Sequence, residues 1–321
     1  MTGHFPPSQE PVAITVTHLV DELVRRGHRP LVLTTGVGPA SYRGVRVVRV
    51  REGDAAAVTR ELAGYQPDLV HVADPRLLGM VALASAHRLG VPAVVTHHSV
   101  APGHVADWLG RHGVPTLAWR SGVDTDLYRP DMRSPALSGK WSKGGRLLVV
   151  GHVGAVDQPR VRRRLVEVGR LPGVRLVAVR AAAGAESLRA KVPGAKVLGD
   201  VSGIDLAHAV ASYDVLVQPR RKELDCHGVR RALASGVPVV GFAAGGVPDL
   251  VTQGVNGLLV DPRQPHGMRD AVAPLVRDPG LVTRLAGPAR ASVSGRTWTH
   301  AVDELLAVHW TGMLPQRASS G

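Results

Sequence analysis

The chain has 321 residues, one cysteine and a 44% hydrophobic share. Its length indicates two domains of ordinary size or one large domain. The hydrophobic share excludes a wholly disordered chain, and the single cysteine excludes a disulfide framework and a cysteine-rich zinc site. The sequence has no apolar run of about 18 residues or more, so no transmembrane helix is expected. Its N-terminus lacks the basic and apolar regions of a secretory signal, so a cytoplasmic location is expected.

The net charge of +13 comes from 39 Lys and Arg against 26 Asp and Glu, and it is unevenly spread. Residues 141–200 alone hold 12 basic and 4 acidic residues. One interpretation is codon bias in a GC-rich genome, and the other is an anionic partner such as a phosphate-bearing substrate, a nucleic acid or a membrane surface. Nucleic acid is not expected as a partner, because the segment holds one aromatic residue, Trp141, and base stacking needs more. The densest group of cations in the segment is Arg160, Arg162, Arg163 and Arg164.

Short β-branched runs alternate with helical stretches along the chain. The stretch Leu19–Val24 is an early helical signal, and Gly27 follows it as a helix stop. Strands spaced roughly 20–30 residues apart with helices between them are typical of βαβ units in a parallel α/β sheet. Several runs end in Gly, Asp or His, as strands do where ligands bind at the carboxyl edge of such a sheet. The predicted strands are Pro30–Leu33, Val45–Val50, Leu69–Val72, Ala93–Thr96, Leu147–Val150, Val174–Val179, Val215–Val217 and Val237–Phe242.

The clearest break in the pattern is a stretch rich in Pro, Ser and Gly without apolar periodicity, at residues 131–145. Such a composition is typical of an inter-domain linker. It predicts a first domain at 1–130 and a second at 146–297. Apolar spacing after Trp298 predicts a C-terminal helix at 298–312, and the last residues, 313–321, are expected to be disordered.

A series of short motifs follows these predicted elements along most of the chain. In their order and spacing they resemble the two-domain nucleotide-sugar glycosyltransferases of the GT-B fold, family 4, and most closely the actinobacterial mannosyltransferases of that family. The motifs are Pro67–Val72, Val94–Ser99, Trp119–Pro130, Leu171–Leu176, Val197–Gly199, Ala211–Pro219, Ala232–Val240, Gly245–Asp249 and Gly254–Pro262.

The resemblance implies an α/β chain of two Rossmann-like domains that face each other across a cleft. It implies transfer of a hexose, with retention, from a nucleotide diphosphate sugar such as a GDP- or UDP-sugar to a lipid, glycan or small-molecule acceptor. Basic side chains stabilise the leaving diphosphate in this family, so neither a cofactor nor a metal ion is expected. Peripheral contact with an anionic membrane, at its inner face, stays open, because many family members act on lipid acceptors.

Two candidate catalytic residues come from the resemblance. Glu223 matches the first carboxylate of the family's E-x7-E pair, which meets the donor sugar, while Arg231 stands where the second carboxylate holds the ribose. A guanidinium cannot accept a hydrogen bond from a ribose hydroxyl but pairs well with phosphate. His98 matches a strand-end histidine that faces the donor sugar, and His97 takes its place if the register shifts by one residue.

Other donor-binding positions depart from the family pattern. His152 stands where the family has an arginine, and Asp157 lies near the expected lysine. Arg160 and Arg162 follow within a few residues and are predicted to replace those cations at the diphosphate. The glycine loop that approaches the donor phosphates is replaced by Glu10–Ala13. The resemblance also assigns Gly245, Gly246 and Leu258 to donor binding.

The first domain is expected to be incomplete. The segment Phe5–Pro7 stands where the family has already completed its opening strand, and only 19 residues separate Ser99 from Trp119. Either coding sequence lies upstream or the domain is trimmed. These departures leave two alternatives to an active transferase: a catalytically degenerate family member that serves as a binding or partner subunit, and a basic adaptor for nucleic acid or an anionic membrane.

Overall fold

The computed structural model divides the chain into two compact units. The first unit comprises Met1–Ser121 together with the chain from Trp298 onward, and the second comprises Gly122–Thr297. Within the described part of the chain, no helix combines the length and apolarity needed to cross a membrane. The structure describes residues 1–8, 10–96, 103–117, 119–180, 184–223 and 225–310.

Helices and strands alternate through both units, as the sequence predicts. The elements in chain order are α1 (Pro11–Arg25), β1 (Val32–Thr34), β2 (Ser41–Tyr42), β3 (Val45–Arg49), α2 (Ala55–Tyr65), β4 (Val70–Val72), α3 (Leu77–Arg88), β5 (Ala93–Thr96), α4 (Gly103–Arg111), β6 (Thr116–Leu117), a 3-10 turn (Pro130–Met132), α5 (Pro135–Ser142), β7 (Leu148–Val153), α6 (Pro159–Gly169), β8 (Val174–Val179), α7 (Ala185–Lys191), β9 (Lys196–Val197), α8 (Gly203–Ala211), β10 (Val215–Gln218), α9 (His227–Ala234), β11 (Val239–Phe242), β12 (Gly257–Val260), α10 (Gly267–Arg277), α11 (Pro279–Ala286), α12 (Ala291–Ser294), α13 (Trp298–Glu304) and a π-helical segment (Leu305–Trp310).

The second unit is built on one sheet of six parallel strands in the order β12-β11-β10-β7-β8-β9. Successive residues of its strands point to opposite faces, so Val149 and Val150 of β7 join two different hydrophobic clusters. In β10, Leu216 belongs to the same cluster as Val149, and Val217 belongs to the same cluster as Val150. Burial on both faces explains why these strands are continuous runs of β-branched and aliphatic residues.

The first unit contains two separate three-stranded sheets, in the orders β1-β3-β2 and β4-β5-β6. All of their pairings are parallel except that of β2 with β3. The sequence predicts that an opening strand is missing from this domain. In the structure, Met1 and Thr2 lie where the two sheets approach each other and hydrogen-bond to β4 and β1 respectively.

The C-terminal helical segment packs within the first unit. The ring of Trp298 stacks on that of His18 in α1, with 4.4 Å between centroids. The indole N–H of Trp119 donates to the carbonyl of Ala301 at 2.7 Å. Trp119, Trp298 and Ala301 share a buried cluster with Leu19 of α1, so distant parts of the chain build one core.

The predicted linker at 131–145 is a folded part of the second unit. Ser134 caps α5, its side chain accepting a hydrogen bond from the backbone N–H of Leu137. Trp141 is only 3% exposed and stacks on Tyr213 with 6.1 Å between ring centroids. The division between the units falls at Ser121 and Gly122 instead. Ser before Pro is a helix start as well as a loop signal, and the composition alone does not distinguish the two.

Candidate functional site

The carboxyl ends of β7, β10 and β11 lie side by side at one edge of the six-stranded sheet. Leu216 in β10 is in register with Gly151 in β7, and Gln218 is in register with Gly241 in β11. The segments that follow these strands therefore meet at this edge, where open α/β sheets bind their ligands. The predicted site residues Arg160 and Arg162 come after β7, Glu223 after β10, and Gly245 and Gly246 after β11.

Glu223 lies in the loop that leaves β10, and its side chain is 20% exposed. Burial raises the pKa of its carboxyl group, the nearby Arg220 guanidinium lowers it, and Asp225 raises it further. The net shift is upward, because removal of water disfavours the charged form. A half-buried carboxylate beside a guanidinium is well suited to accept hydrogen bonds from sugar hydroxyls.

Gly245 and Gly246 fix the backbone of the Glu223 loop. The amide of Gly246 donates to the Glu223 carbonyl at 2.7 Å. Gly245 has φ +64°, and a Cβ atom there would lie 2.5 Å from the same carbonyl oxygen. A side chain at Gly245 would therefore displace the Glu223 loop. The structure gives these glycines a role in positioning Glu223, and their predicted contact with the donor stays a prediction.

Arg220 is the cation nearest to Glu223 among the described contacts, although the family motifs do not indicate it. Its Nε atom lies 3.9 Å from the Glu223 carboxylate, and its Nη2 atom lies 3.8 Å from that of Asp157. Nη2 also donates to the Ala155 carbonyl at 3.2 Å. Arg220 therefore joins the loop after β10 to the loop after β7. Its position two residues beyond a buried parallel strand is a signal that sequence reasoning could have used.

His152 supplies no positive charge at neutral pH. It is 1% exposed, and burial lowers its pKa to about 4. Its Nδ1 atom lies 3.3 Å from the Val217 carbonyl, and its Nε2 atom has no hydrogen-bond partner among the described residues. His152 therefore does not replace the arginine expected at this position as a cation. Arg220, which lies close enough to lower the pKa of His152 further, brings a charge to the same region.

The four arginines of the predicted basic group have different environments on α6. Arg160 is exposed, and Arg162 donates to the carbonyls of Val156 and Asp157 at 3.1 and 2.9 Å. Arg162 therefore stabilises the loop between β7 and α6. The remaining two make structural contacts: Arg163 pairs with Glu167 at 3.7 Å, and Arg164 is buried against Phe242 and donates to the Pro219 carbonyl at 2.6 Å. A helix turns successive residues by about 100° each, so these four arginines, spread over residues 160–164, cannot all share one face.

Arg231 lies over the ring of Tyr128, with 5.2 Å from Cζ to the ring centroid. A second arginine, Arg180, follows β8 and has φ +56°, an unusual backbone conformation for a residue with a side chain. Burial lowers the pKa of Arg180, and the charge of Arg231 lowers it further, so the two cations are neighbours. The predicted pairing of Arg231 with phosphate stays a prediction.

The other predicted site residues are placed as follows. Leu258 lies in β12, opposite Val240, and packs against the core on one face of the sheet. Leu258 therefore has a packing role in the sheet, and its predicted contact with the donor stays a prediction. His98 and His97 lie outside the described residues. Within the described ranges, no group of three or more His, Cys, Asp or Glu side chains is arranged to hold a metal ion.

Two family models match this chain. The model described as "Glycosyltransferase Family 4" matches residues 12–131, and the model described as "Glycosyl transferases group 1" matches residues 145–278. A GDP-mannose-dependent alpha-mannosyltransferase of Mycobacterium tuberculosis is 33% identical, with 98% of this chain and 96% of that protein covered. One of the same name from Mycolicibacterium smegmatis is 32% identical, covering 98% of this chain and 96% of that protein.

Solved structures share the fold at lower identity. Sucrose-phosphate synthase from Thermosynechococcus elongatus has a TM-score of 0.78 at 19% identity, with 93% of this chain and 92% of that chain covered. Anabaena HepE in complex with UDP and glucose has a TM-score of 0.77 at 18% identity, covering 97% and 98%. Both are glycosyltransferases of the GT-B fold. The family models, the near full-length relatives and the shared fold agree, and this chain belongs to the family 4 glycosyltransferases.

Proposed function

We propose that this chain transfers a mannosyl residue from GDP-mannose to an acceptor hydroxyl, with retention of the anomeric configuration. The near full-length relatives that carry GDP-mannose in their names support the choice of donor. The acceptor hydroxyl belongs to a lipid, a glycan or a small molecule.

The observation that carries the proposal is the pair formed by Glu223 and Arg220 at the carboxyl edge of the six-stranded sheet. A carboxylate that accepts hydrogen bonds and a guanidinium that binds phosphate stand 3.9 Å apart. A nucleotide diphosphate sugar presents both complementary groups, hydroxyls on its sugar and negative charge on its diphosphate. In this proposal Glu223 contacts the sugar and Arg220 contacts the diphosphate, and the bond that breaks joins these two groups.

In the transfer step, the bond between the anomeric carbon and the diphosphate oxygen breaks, and its electron pair remains on the diphosphate. The acceptor oxygen bonds to the anomeric carbon on the same face, and its proton passes to the departing diphosphate oxygen. Arg220 stabilises the charge that develops on the leaving group, where a preorganised donor is most effective. Glu223 holds the sugar hydroxyls, and we assign His98 a further contact with the sugar on the basis of the family resemblance.

Cations of the chain itself meet the diphosphate in this proposal. Arg220 is assigned to it from its geometry, and Arg231 with its neighbour Arg180 is assigned to a second phosphate or to the nucleoside end. Guanidinium groups bind phosphate oxygens in pairs of hydrogen bonds, so two such groups suffice for a diphosphate. Neither a metal ion nor a cofactor is part of the proposal.

Donor binding is tested by thermal unfolding in the presence of nucleotide sugars. GDP-mannose at about 100 times its dissociation constant stabilises a protein by about 2.7 kcal/mol, so a clear rise in Tm is expected. UDP-glucose at the same concentration serves as the matched comparison and is expected to act more weakly. Absence of a shift with every GDP- and UDP-sugar at millimolar concentration would contradict the proposal.

Transfer is tested by mass spectrometry of acceptors that present lipid, glycan and small-molecule hydroxyls. The expected product is heavier by one hexose, and Glu223→Gln should reduce its formation by about a hundredfold or more. The matched control is Asp270→Asn, an exposed acid that pairs only with its neighbour Arg269 in the described contacts. Equal activity of Glu223→Gln and the control would exclude catalysis at this site.

A further inference from the structure

Arg164 of α6 is a buried cation near the carboxyl edge of the six-stranded sheet, with only 9% of the residue exposed. Its Nη1 atom donates to the Pro219 carbonyl at 2.6 Å, and its Cζ atom lies 4.6 Å from the centroid of the Phe242 ring. A guanidinium is planar, so it stacks on a ring with its face while its edge donates hydrogen bonds. Arg164 thereby connects the residue that follows β10 to the last residue of β11.

The charge of Arg164 is not balanced by a carboxylate. Among the described residues, no ion pair joins it to an acid, and Glu167, the acid that acts on it, pairs with Arg163 at 3.7 Å. Burial lowers the pKa of Arg164, and the charges of neighbouring arginines, first of all Arg221, lower it further. A buried charge without an opposite charge beside it is costly. Stability therefore does not explain why an arginine occupies this position.

The Phe242 ring also contacts a second arginine, which belongs to the loop after β10. The Cζ atom of Arg221 lies 5.3 Å from the centroid of that ring. The loop is therefore held at Pro219 by the hydrogen bond from Arg164 and at Arg221 by the ring on which Arg164 packs. Arg220, the cation assigned to the leaving group, is the residue between these two held positions.

The contacts of the Arg220 side chain are themselves weak. Its ion pairs with Glu223 and Asp157 are 3.9 and 3.8 Å long, and its hydrogen bond to the Ala155 carbonyl is 3.2 Å. Partly exposed ion pairs of this kind contribute little energy. The direction of the Arg220 side chain therefore depends on how firmly the backbone on either side of it is held.

We propose that Arg164 is a positioning residue, which fixes the backbone on both sides of Arg220 through the Pro219 carbonyl and the Phe242 ring. Arg164 does not contact the donor in this proposal. Its effect on transfer rests on the proposed function, whereas its effect on the loop does not. A displacement of about 1 Å in a group that meets the reacting atoms is enough to reduce a rate strongly. The contacts of α6 thus reach the reaction through Arg220.

The first test follows the loop directly and needs no substrate. Arg164→Met retains an unbranched apolar side chain but removes the guanidinium, and its matched control is Arg163→Met on the same helix, where the side chain is 71% exposed. Hydrogen exchange measured by mass spectrometry should be faster at residues 219–223 in Arg164→Met alone. Equal exchange of this loop in the two variants would overturn the proposal.

Thermal unfolding separates positioning from support of the core. Replacement of a buried, unbalanced charge by an apolar side chain is often neutral or stabilising. The Tm of Arg164→Met should therefore stay within about 3 °C of the wild type. A fall of about 5 °C or more, with faster exchange throughout the second unit, would show that Arg164 supports the core as a whole, and this result would overturn the proposal.

Steady-state kinetics test whether the effect passes through Arg220. Arg164→Met should lower kcat for hexose transfer about tenfold and leave KM for the donor within about twofold, while Arg163→Met should match the wild type. In an Arg220→Met background, Arg164→Met should change kcat by less than about twofold, because residues that act through one another are not additive. A full tenfold loss in that background would overturn the proposal. If the wild type transfers no hexose, the proposed function fails, and the exchange of the loop alone decides the role of Arg164.

Discussion

The sheets of the two units differ in continuity. The second unit has one sheet of six parallel strands with packed side chains on both faces. The first has two sheets of three strands, and the hydrogen-bonded residues Met1 and Thr2 and a cavity of about 750 Å³ lie between β1 and β4. A continuous sheet holds the loops at its carboxyl edge in fixed relative positions, as required for a site built from several loops. A divided sheet lacks that support at its centre.

Because of this difference, substitutions are expected to have different effects in the two units. In the second unit, changes at the carboxyl edge should alter activity, and changes in the core should alter stability. In the first unit, the walls of the cavity should tolerate changes that a filled core would not. Each of the following predictions tests one side of this contrast.

The largest effect is expected at the carboxyl edge of the continuous sheet. Arg220→Met should reduce the rate of hexose transfer by about a hundredfold, because one charged donor to the leaving group is lost. Its Tm should change little, since the side chain is partly exposed and its ion pairs are long. The exposed Arg269→Met is the control and should keep full activity. Similar transfer rates in the two variants would remove Arg220 from the site.

The next effect concerns the pH dependence of stability in the second unit. His152 has a pKa of about 4 in the folded protein and 6.5 when it is unperturbed. As the pH falls from 6.5 to about 4, the unfolded chain takes up a proton that the folded chain does not, so stability is lost in this window and retained above it. In urea unfolding, the difference between the wild type and His152→Gln should change by up to about 1.4 kcal/mol per pH unit there. A difference that stays constant from pH 7 to pH 5 would contradict a neutral buried histidine.

A smaller effect is expected from a single methyl group in the packed core. A Cβ atom on Gly151 in β7 would overlap the ring of Tyr213, which is 1% exposed. Gly151→Ala should therefore destabilise the protein by about 1–3 kcal/mol, as overpacked cores do. Gly139→Ala in α5 meets no atom within 4 Å and should add up to about 1 kcal/mol through helix propensity. Thermal unfolding of the two variants measures this, and a Gly151→Ala protein as stable as the Gly139→Ala protein would show that the core has room for the methyl group.

The smallest effect is expected in the wall of the cavity. Leu69 lies in the wall of the cavity, and Leu69→Phe replaces its branched side chain by a ring with three more carbon atoms. The substitution should change stability by no more than about 0.5 kcal/mol, because the cavity accommodates the ring. A cost of several kcal/mol in thermal unfolding would show that the wall is already tightly packed.

The strand pattern of the second unit was predictable because its strands are buried on both faces. Val174–Val179 was predicted and is β8 with the same bounds, and Leu147–Val150 falls within a residue of the start of β7. The segment at 131–145 was not predictable in this way. Its buried side chains, Met132 and Trp141, belong to a cluster with residues that are distant in the sequence, and Trp141 stacks on Tyr213.

The sequence indicated candidate site residues but not their environments. Glu223 was assigned by its motif to the first carboxylate of the family pair, and in the structure it follows β10; its catalytic role stays a prediction. The charge of His152 depends on how deeply it is buried, and the separate contacts of Arg162 and Arg164 depend on the direction of each side chain along α6. How deeply a side chain is buried and where it points depend on packing between distant segments. A short sequence motif does not specify either property.

The return of the C-terminal helical segment to the first unit has a consequence for the order of events during synthesis. The second unit is one uninterrupted stretch, so its core forms from segments that are synthesised consecutively. The core that contains Leu19 and Trp119 must wait for Trp298 and Ala301, which are synthesised after the whole second unit. The segment that is synthesised first therefore completes its folding last, and its apolar α1 face is the part that chaperones would meet on the nascent chain.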